Sequence, residues 1–476
     1  MPLLSAIALS RMLEMGSITS VALTQSCLNT IRQLDGDIHA FLEVFEEEAL
    51  SAAAQSDARR AEGKALSPLD GVPVAVKDNL VMKGHVCSCA SRMLADFVSP
   101  YDATVITRLH GAGMPILGRL NMDEFAMGGS TENSAFGPTR NPSDLSRVPG
   151  GSSGGAAAAV AAGMVPLAVG SDTGGSVRQP AAFCGVTGVK PAYGTISRYG
   201  LVAFASSLDQ VGPVASTAED AALLMNVLMG PDPHDATADP SLATPCWPLP
   251  KIDLSGLNLA LPKECFQPGL NDQVRQAVEQ AAQRFARLGA KTTTVSIPML
   301  AHALSAYYVI SSAEASSNLA RYDGVRYGHR AEGCETLDEM YRQSRQQGFG
   351  PEVRRRILLG TFALSSGYQE QYYQKAQQVR SQLRQQMEQA LSQCDALLSP
   401  TAPTTAYRPG HKTPVEMYLG DLYTVPANLT GLPALSIPCG ADAEGLPIGL
   451  QLTGARDSLP RLLALAARFQ EVTGRE

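Results

Sequence analysis

The sequence lacks the features of a membrane-spanning or a disulfide-bonded secreted protein. Its longest apolar run, residues 156–169, is interrupted by Gly163 and Pro166 and is too short to cross a bilayer. The N-terminus has no basic region before its apolar stretch, and Arg11 interrupts that stretch, so no signal peptide is predicted. The nine cysteines are an odd, scattered set, which favours a reducing compartment. We therefore expect a cytoplasmic protein.

The sequence also lacks motifs for binding a metal or a nucleotide. Cys87 and Cys89 form the one close cysteine pair, without the second pair or the histidines of a zinc module. Neither a P-loop nor the glycine pattern of a dinucleotide-binding turn is present. The net charge of −7 argues against a basic face that holds nucleic acid. We expect no metal and no cofactor in this chain.

What the sequence does contain is typical of an α/β protein. Strand patterns alternate with helical ones, and residue 77 ends a strand pattern that begins at residue 68. Residues 1–64 are helical in pattern, including a helix over residues 41–61, and residues 368–393 predict one long helix. Residues 231–250 contain six prolines and form a connector. No repeat or clean boundary is present, so one domain over residues 1–476 is predicted, with a central core at about residues 68–215.

Two serine sites lie in glycine clusters on either side of an apolar segment. Ser152 belongs to GGSSGG, and Ser176 follows 24 residues later in DTGGS. A helix of about nine residues rises roughly 14 Å, and a returning strand of about five residues covers roughly 17 Å. Because these lengths nearly match, the chain should go out and come back, and bring the two serines close together.

The glycines beside Ser176 suit acyl-transfer chemistry. Thr173, Gly174 and Gly175 can turn backbone N–H groups inward without a Cβ in the way, which is what an oxyanion requires. A flexible surface linker is the competing interpretation, but linkers do not flank an apolar helix–strand pair. A serine nucleophile also needs a base. No histidine lies between His110 and His234, so a lysine with a lowered pKa is a candidate alongside a remote histidine.

These blocks resemble the amidase signature family. The resemblance rests on GGSSGG, on DTGGS followed by VRQPAAFCG, and on VAVKDN, which contains Lys77. It implies a large mixed β-sheet covered by helices on both faces. It also implies Ser176 as nucleophile, Ser152 as a bridging serine after a cis Gly151–Ser152 peptide bond, and Lys77 as base.

Other roles remain open for the same serines. Ser152 and Ser153 can cap the Ala-rich helix. The residues around Ser153 also fit G-x-S-x-G, the nucleophile elbow of another hydrolase fold. An elbow must follow a strand, and residues 146–149 are poor strand sequence.

Longer blocks resemble one subfamily, the glutamine-hydrolysing A subunits of tRNA-dependent amidotransferases. The blocks span residues 307–328, 348–361 and 418–428. The resemblance implies that Asp421 binds the α-ammonium of glutamine and that an arginine binds its α-carboxylate. Arg356 is our choice and Arg355 an alternative. Tyr307 is the expected hydroxyl contact, and Tyr308 can share that role.

The subfamily resemblance also implies partners. The expected complex is a heterotrimer with B and C subunits, in which ammonia from glutamine converts Glu-tRNA(Gln) to Gln-tRNA(Gln) through a γ-phosphorylated intermediate. ATP and Mg²⁺ belong to the partner subunit, and the tRNA is met through the complex. Two alternatives are a free-standing amidase for small or aryl amides and a non-catalytic scaffold subunit.

Overall fold

One mixed β-sheet organises the chain. In this computed structural model, which describes residues 5–474, the sheet has 11 strands in the order β1-β3-β2-β4-β6-β5-β10-β11-β9-β7-β8. The strands are β1 Phe41–Val44, β2 Val74–Lys77, β3 Ile116–Leu120, β4 Leu167–Asp172, β5 Thr187–Lys190, β6 Gln210–Ala215, β7 Asn258–Pro262, β8 Lys291–Val295, β9 Ala396–Pro400, β10 Ala434–Ala441 and β11 Pro447–Thr453.

Helices cover this sheet on both faces, as its central strands show. Every residue of β2, β4, β5 and β6 is buried, which is possible for a strand only when both faces are packed. The helices are α1 Ala6–Glu14, α2 Ser20–Ile38, α3 Glu46–Ala61, α4 Thr104–Gly111, α5 Gly154–Ala161, α6 Arg178–Cys184, α7 Ala218–Leu228, α8 Asp272–Arg287, α9 Leu300–Asn318, α10 Leu337–Gly348, α11 Pro351–Leu364, α12 Lys375–Leu391, α13 Pro414–Leu419, α14 Val425–Thr430 and α15 Leu459–Thr473.

The strand pairing brings the predicted catalytic segments together. β2 pairs in parallel with β3 and with β4, so the carboxyl ends of these three strands lie at one edge. Lys77 is the last residue of β2, and the DTGGS block begins at the last residue of β4. α5 leads out from the Ser152 cluster and β4 leads back toward Ser176, as the segment lengths predict.

Two secondary-structure predictions need correction. Residues 1–64 are not helical throughout, because residues 41–44 form β1, which pairs antiparallel with the edge of β3; residues 1–4 lie outside the described part.

The helix predicted over residues 368–393 is also divided. A π-helix, Gln369–Gln374, precedes α12. Tyr368 and Tyr372 there are exposed and stack on Phe362 of α11 instead of entering the core.

The rest of the architecture agrees with the sequence. Residues 231–250 contain no α-helix or strand, which is the expected connector. One main cluster of buried apolar side chains extends from Ala6 in α1 to Phe469 in α15, which is consistent with a single domain. Within residues 5–474, no helix is long and apolar enough to cross a membrane.

Candidate active site

Lys77 lies at the centre of a fully buried cluster of hydroxyl groups. Its side chain is 0% exposed. The Nζ atom lies 2.7 Å from the Ser152 Oγ, 2.9 Å from the Ser153 Oγ and 3.0 Å from the Ser171 Oγ. The Gly151–Ser152 peptide bond is cis, as the family resemblance implies. Lys77 and Ser152 are therefore in direct contact, as predicted.

The hydrogen bonds of this cluster indicate which hydroxyl faces the lysine lone pair. The Ser153 hydroxyl donates to the Ser171 carbonyl at 3.0 Å, so toward Lys77 it can only accept. The Asn79 amide donates to the Ser171 Oγ at 2.9 Å. A neutral lysine has two N–H groups and one lone pair. When Ser153 and Ser171 accept the N–H groups, the lone pair is left for the proton of Ser152.

Burial supplies the condition under which Lys77 can act as a base. It lowers the pKa of Lys77 to about 7, because a charged ammonium loses its hydration there. The charges of Asp123, Asp172 and Asp209 act in the opposite direction and keep the pKa from falling further. A substantial fraction of Lys77 is thus neutral near pH 7.

The loop that carries Ser176 is held by a buried ion pair. The Asp172 carboxylate accepts hydrogen bonds from the backbone of Gly175 at 2.9 Å and from the Arg178 guanidinium at 2.9 Å and 3.0 Å. Burial alone would raise the pKa of Asp172, but the charge of Arg178 holds it below the ordinary value. Asp172 therefore stays ionised, and its carboxylate holds the segment from Asp172 to Arg178 in a fixed conformation.

The same loop is joined to the Ser152 cluster. The Ser153 backbone N–H donates to the Ser176 carbonyl at 3.0 Å. The Ser176 hydroxyl has no hydrogen-bond partner among residues 5–474, and the residue is 7% exposed. The hydroxyl is therefore available to a substrate, and the proton relay between Ser176 and Ser152 is not closed in this structure.

The predicted oxyanion donors are not equivalent. The N–H of Gly175 is already donated to Asp172, so it is not a free donor, contrary to the prediction. Within the described chain, the N–H groups of Thr173, Gly174 and Ser176 have no acceptor. These three donors remain for an oxyanion at Ser176.

Glycine is required in this loop because two side chains press against it. A Cβ on Gly174 would lie 2.4 Å from the Tyr307 hydroxyl oxygen, and one on Gly175 would lie 2.3 Å from the Thr424 Oγ1. The Thr424 hydroxyl donates to the Gly174 carbonyl at 2.6 Å. Tyr307 and Thr424 thus position the backbone that carries Ser176.

A separate cavity of about 180 Å³ is lined by the predicted arginine. Arg356 is 4% exposed, its Nε donates to Glu352 at 2.7 Å, and its guanidinium lies 4.5 Å from the ring centre of Tyr308. Its Nη1 is buried and has no hydrogen-bond partner among the described residues. A buried cationic donor without an acceptor is costly, so this atom is a natural position for a bound anion.

Asp421 provides the opposite charge in the same cavity. It accepts a hydrogen bond from the Tyr308 hydroxyl at 2.7 Å. Burial raises the pKa of Asp421 to about 7, while that hydrogen bond and the charge of Arg356 act to lower it. The Asp421 carbonyl also accepts a hydrogen bond from the Thr424 backbone N–H at 3.1 Å, and the Thr424 hydroxyl contacts the Ser176 loop, so the two sites are joined.

The two arginines that the sequence left as alternatives differ in their burial. Both line the cavity, but Arg355 is about half exposed, whereas Arg356 is almost fully buried, and each pairs with Glu352. Tyr308 lines the cavity, and Tyr307 lies against Gly174. The cavity brings Arg356, Asp421 and Tyr308 together. Ser176 is not part of its lining. Tyr307 and Thr424, which are neighbours in sequence of Tyr308 and of the Asp421 segment, contact the loop that carries Ser176.

Sequence reasoning missed the residues that support these groups. Ser171 and Asn79 complete the contacts of Lys77, Arg178 holds Asp172, and Glu352 orients Arg356. Arg178 and Asn79 lie inside the family motifs, so their positions were a usable signal. Glu352 lies inside the block at residues 348–361 and so carried the same signal. Ser171 carried none, because its role arises from contacts between separate segments.

Comparisons with known proteins agree with this geometry. A family model described as Amidase matches residues 22–463. The chain is 52% identical to the A subunit of the glutamyl-tRNA(Gln) amidotransferase of Symbiobacterium thermophilum, across 99% of this chain and 97% of that protein.

Solved structures give the same result for the fold. The crystal structure of a glutamyl-tRNA(Gln) amidotransferase A subunit from Thermotoga maritima is 43% identical, with a TM-score of 0.78, and the match covers 96% of this chain and 92% of that one. A peptide amidase from Stenotrophomonas maltophilia is 29% identical, with a TM-score of 0.80, and the match covers 98% and 96%.

Proposed function

The chain belongs to the amidase family, and we propose that it is the glutamine-hydrolysing subunit of a tRNA-dependent amidotransferase. The observation that carries the proposal is a cavity lined by both Arg356, whose buried Nη1 has no hydrogen-bond partner among residues 5–474, and Asp421. The lining also includes Arg355, Lys412 and Glu352, so the cavity carries charges of both signs, which fits the carboxylate and the ammonium of a free amino acid. The 52% identity to the A subunit of such an amidotransferase supports the same assignment.

The cavity orients glutamine by its two charged ends. The α-carboxylate binds Arg356, whose guanidinium is already oriented by Glu352. The α-ammonium binds Asp421, which the Tyr308 hydroxyl holds in place. The side-chain amide then extends past Tyr307 toward Ser176. A peptide or an aryl amide offers no such pair of charges, so the cavity favours a free amino acid over these substrates.

The buried cluster performs the acyl transfer. Neutral Lys77 takes the proton of Ser152, and Ser152 takes that of Ser176, whose oxygen attacks the amide carbon. The N–H groups of Thr173, Gly174 and Ser176 stabilise the oxyanion. The proton returns through Ser152 to the leaving nitrogen, and ammonia departs. Water then hydrolyses the acyl-enzyme by the same relay, and glutamate is released.

The pH dependence of glutamine hydrolysis should reflect the protonation states of Lys77 and Asp421. Lys77 must be neutral for catalysis, so kcat should rise with pH up to about 7 and then level off. Asp421 must be ionised to bind the ammonium, so acidification through about 7 also raises KM. We expect the acid limb of kcat/KM to be steeper than that of kcat. Profiles that are flat between about pH 5.5 and 8 would contradict both assignments.

Arg356 should control the binding of glutamine. Lysine keeps the charge but cannot form a bidentate contact with a carboxylate. Arg356→Lys should raise KM by about tenfold or more, since a charge-assisted hydrogen bond contributes about 1.5–3 kcal/mol. The comparison is Arg355→Lys, which changes the half-exposed arginine of the same cavity lining and should leave KM within about twofold. A larger increase in KM for Arg355→Lys than for Arg356→Lys would show that Arg355 binds the α-carboxylate of glutamine.

The proposal includes a heterotrimer in the cytoplasm, with B and C subunits that complete the reaction. The ATP, the Mg²⁺ and the Glu-tRNA(Gln) bind in the partner subunits, and the ammonia released here converts the activated tRNA. The test is to purify the tagged chain with its co-expressed partners and to assay Gln-tRNA formation with Glu-tRNA, ATP and glutamine.

The result expected is a stable complex that makes Gln-tRNA only when all subunits are present. A monomer that hydrolyses small aryl amides equally well without partners would favour the free-standing amidase. A chain that assembles but whose Ser176→Ala variant supports full glutamine-dependent activity would be a scaffold.

A further inference from the structure

A second cavity lies behind the segment that carries Asp421, and the proposed reaction does not use it. It has a volume of about 260 Å³. Its walls come from α9, α12, β9 and the segment after Pro262, and its apolar lining includes Leu300, Met387, Leu397 and Leu422. Apolar cavities of about 150 Å³ bind benzene-sized molecules, so this one can hold a phenyl ring and a short chain.

One wall of this cavity is shared with the glutamine site. Leu422 and Tyr423 line the apolar cavity. Their neighbours Asp421 and Thr424 face the other way: Asp421 lines the glutamine cavity, and Thr424 holds the Gly174 carbonyl. A ligand that packs on Leu422 and Tyr423 therefore contacts the segment of residues 421–424. In that segment Asp421 lines the glutamine cavity, and Thr424 supports the loop that carries Ser176.

A second connection runs through Gln451, which also lines the apolar cavity. Its side-chain N–H donates to the Tyr423 carbonyl at 2.8 Å, and its side-chain oxygen accepts from Arg178 at 2.7 Å. Arg178 in turn holds Asp172 of the nucleophile loop. The wall of the cavity is thus linked by direct hydrogen bonds to the backbone that positions Ser176.

The lining specifies the chemistry of the ligand. It is predominantly apolar, which requires an apolar body. Glu264 is part of the lining and partly exposed, and no arginine or lysine is among the lining residues. The Glu264 carboxylate accepts hydrogen bonds from the Ser296 hydroxyl and the Ile297 N–H, which leaves its negative charge in place. Charge complementarity therefore favours a ligand with a cationic or hydrogen-bond-donating end and disfavours an anion.

We propose that this cavity binds a small aromatic amine, and that its occupation stabilises the Asp421–Thr424 segment and so strengthens glutamine binding. The binding stands by itself, and the effect on glutamine rests on the function proposed above. With the segment supported from behind, less ordering is needed when glutamine binds. We expect a KM lowered by about fivefold, at the lower end of typical coupling between sites.

The experiment uses 2-phenylethylamine as the probe and 3-phenylpropanoate as its anionic counterpart. Binding is measured by calorimetry on the full chain, alone and with its partner subunits, and KM for glutamine is measured with and without the probe. Ala301 is exposed and lines the cavity, so Ala301→Trp should close it. His302→Trp adds the same ring at the next exposed position, outside the lining. Ala301→Ser leaves the cavity open.

The expected result is a Kd of about 1 mM for the amine, a reasonable affinity for so few atoms, and weaker binding of the anion. Binding should be retained in His302→Trp and Ala301→Ser and lost in Ala301→Trp. No binding to the unmodified chain, or equal binding in Ala301→Trp, would overturn the site.

Three further outcomes separate the parts of the proposal. Binding lost on addition of the partner subunits would assign the cavity to a side chain of a partner and overturn the ligand site. Binding with an unchanged KM would overturn the coupling. A chain that binds the amine but never hydrolyses glutamine would contradict the function proposed above and leave the binding site standing.

Discussion

Replacement of Ser176 by alanine should abolish glutamine hydrolysis. The hydroxyl of Ser176 has no partner within residues 5–474, and the loop that carries it has backbone N–H groups without an acceptor. Loss of the nucleophile in serine hydrolases lowers kcat by about 10⁶-fold, and a comparable loss is expected here. The affinity for glutamine should change little, because Arg356 and Asp421 are untouched. Steady-state release of ammonia and equilibrium binding of glutamine measure the two quantities separately.

The matched control is Ser153→Ala, which removes the adjacent hydroxyl of the same cluster. Ser153 is fully buried, and its hydroxyl donates to the Ser171 carbonyl, so it cannot reach a substrate. The variant should keep measurable activity and covalent reactivity. The nucleophile-elbow interpretation predicts the reverse. Full labelling of Ser176→Ala by a glutamine-like electrophile, with none of Ser153→Ala, would establish it.

Replacement of Lys77 should have the second-largest effect. A proton relay contributes about 10²–10⁴-fold to a rate, so Lys77→Ala should lower kcat by at least about 10²-fold. Lys77→Arg should not restore it, since arginine remains protonated and has no lone pair to accept a proton. Ser152→Ala should resemble Lys77→Ala, because Ser152 lies 2.7 Å from the lysine nitrogen.

Lys77→Met tests whether the loss is chemical or structural. Methionine has a similar length and suits a site that is fully buried. It should keep the thermal stability close to that of the unmodified protein and still lose activity. Near-normal activity of Lys77→Arg would rule out lysine as the base.

The contact between Lys77 and Ser152 was predictable because strand ends and glycine positions set its geometry. Lys77 ends β2, and β4 ends where the DTGGS block begins, so parallel pairing brings them to one edge. Local pattern placed Lys77 at a strand end and the two serines close together, and the family resemblance joined Lys77 to them. Gly175 was assigned wrongly for a tertiary reason. Its N–H is used by Asp172, and that contact depends on the ion pair between Asp172 and Arg178.

The glutamine contacts were less predictable from pattern alone. Arg355 and Arg356 are adjacent on α11, and the sequence does not reveal which face of the helix is buried. Packing against Tyr308 and Tyr418 decides it, and those residues come from other helices. β1 was missed for a similar reason, because residues 41–44 continue the helical pattern of α3 and become a strand only by pairing with β3.

The most direct test of the proposed mechanism is to trap the acyl-enzyme. The purified complex is incubated with an electrophilic analogue of glutamine, and the modified peptide is identified by mass spectrometry. We expect one adduct per chain on Ser176, formed faster as the pH rises through about 7, prevented by excess glutamine, and absent from Ser176→Ala. An adduct on Ser153, or labelling that glutamine does not prevent, would contradict the mechanism.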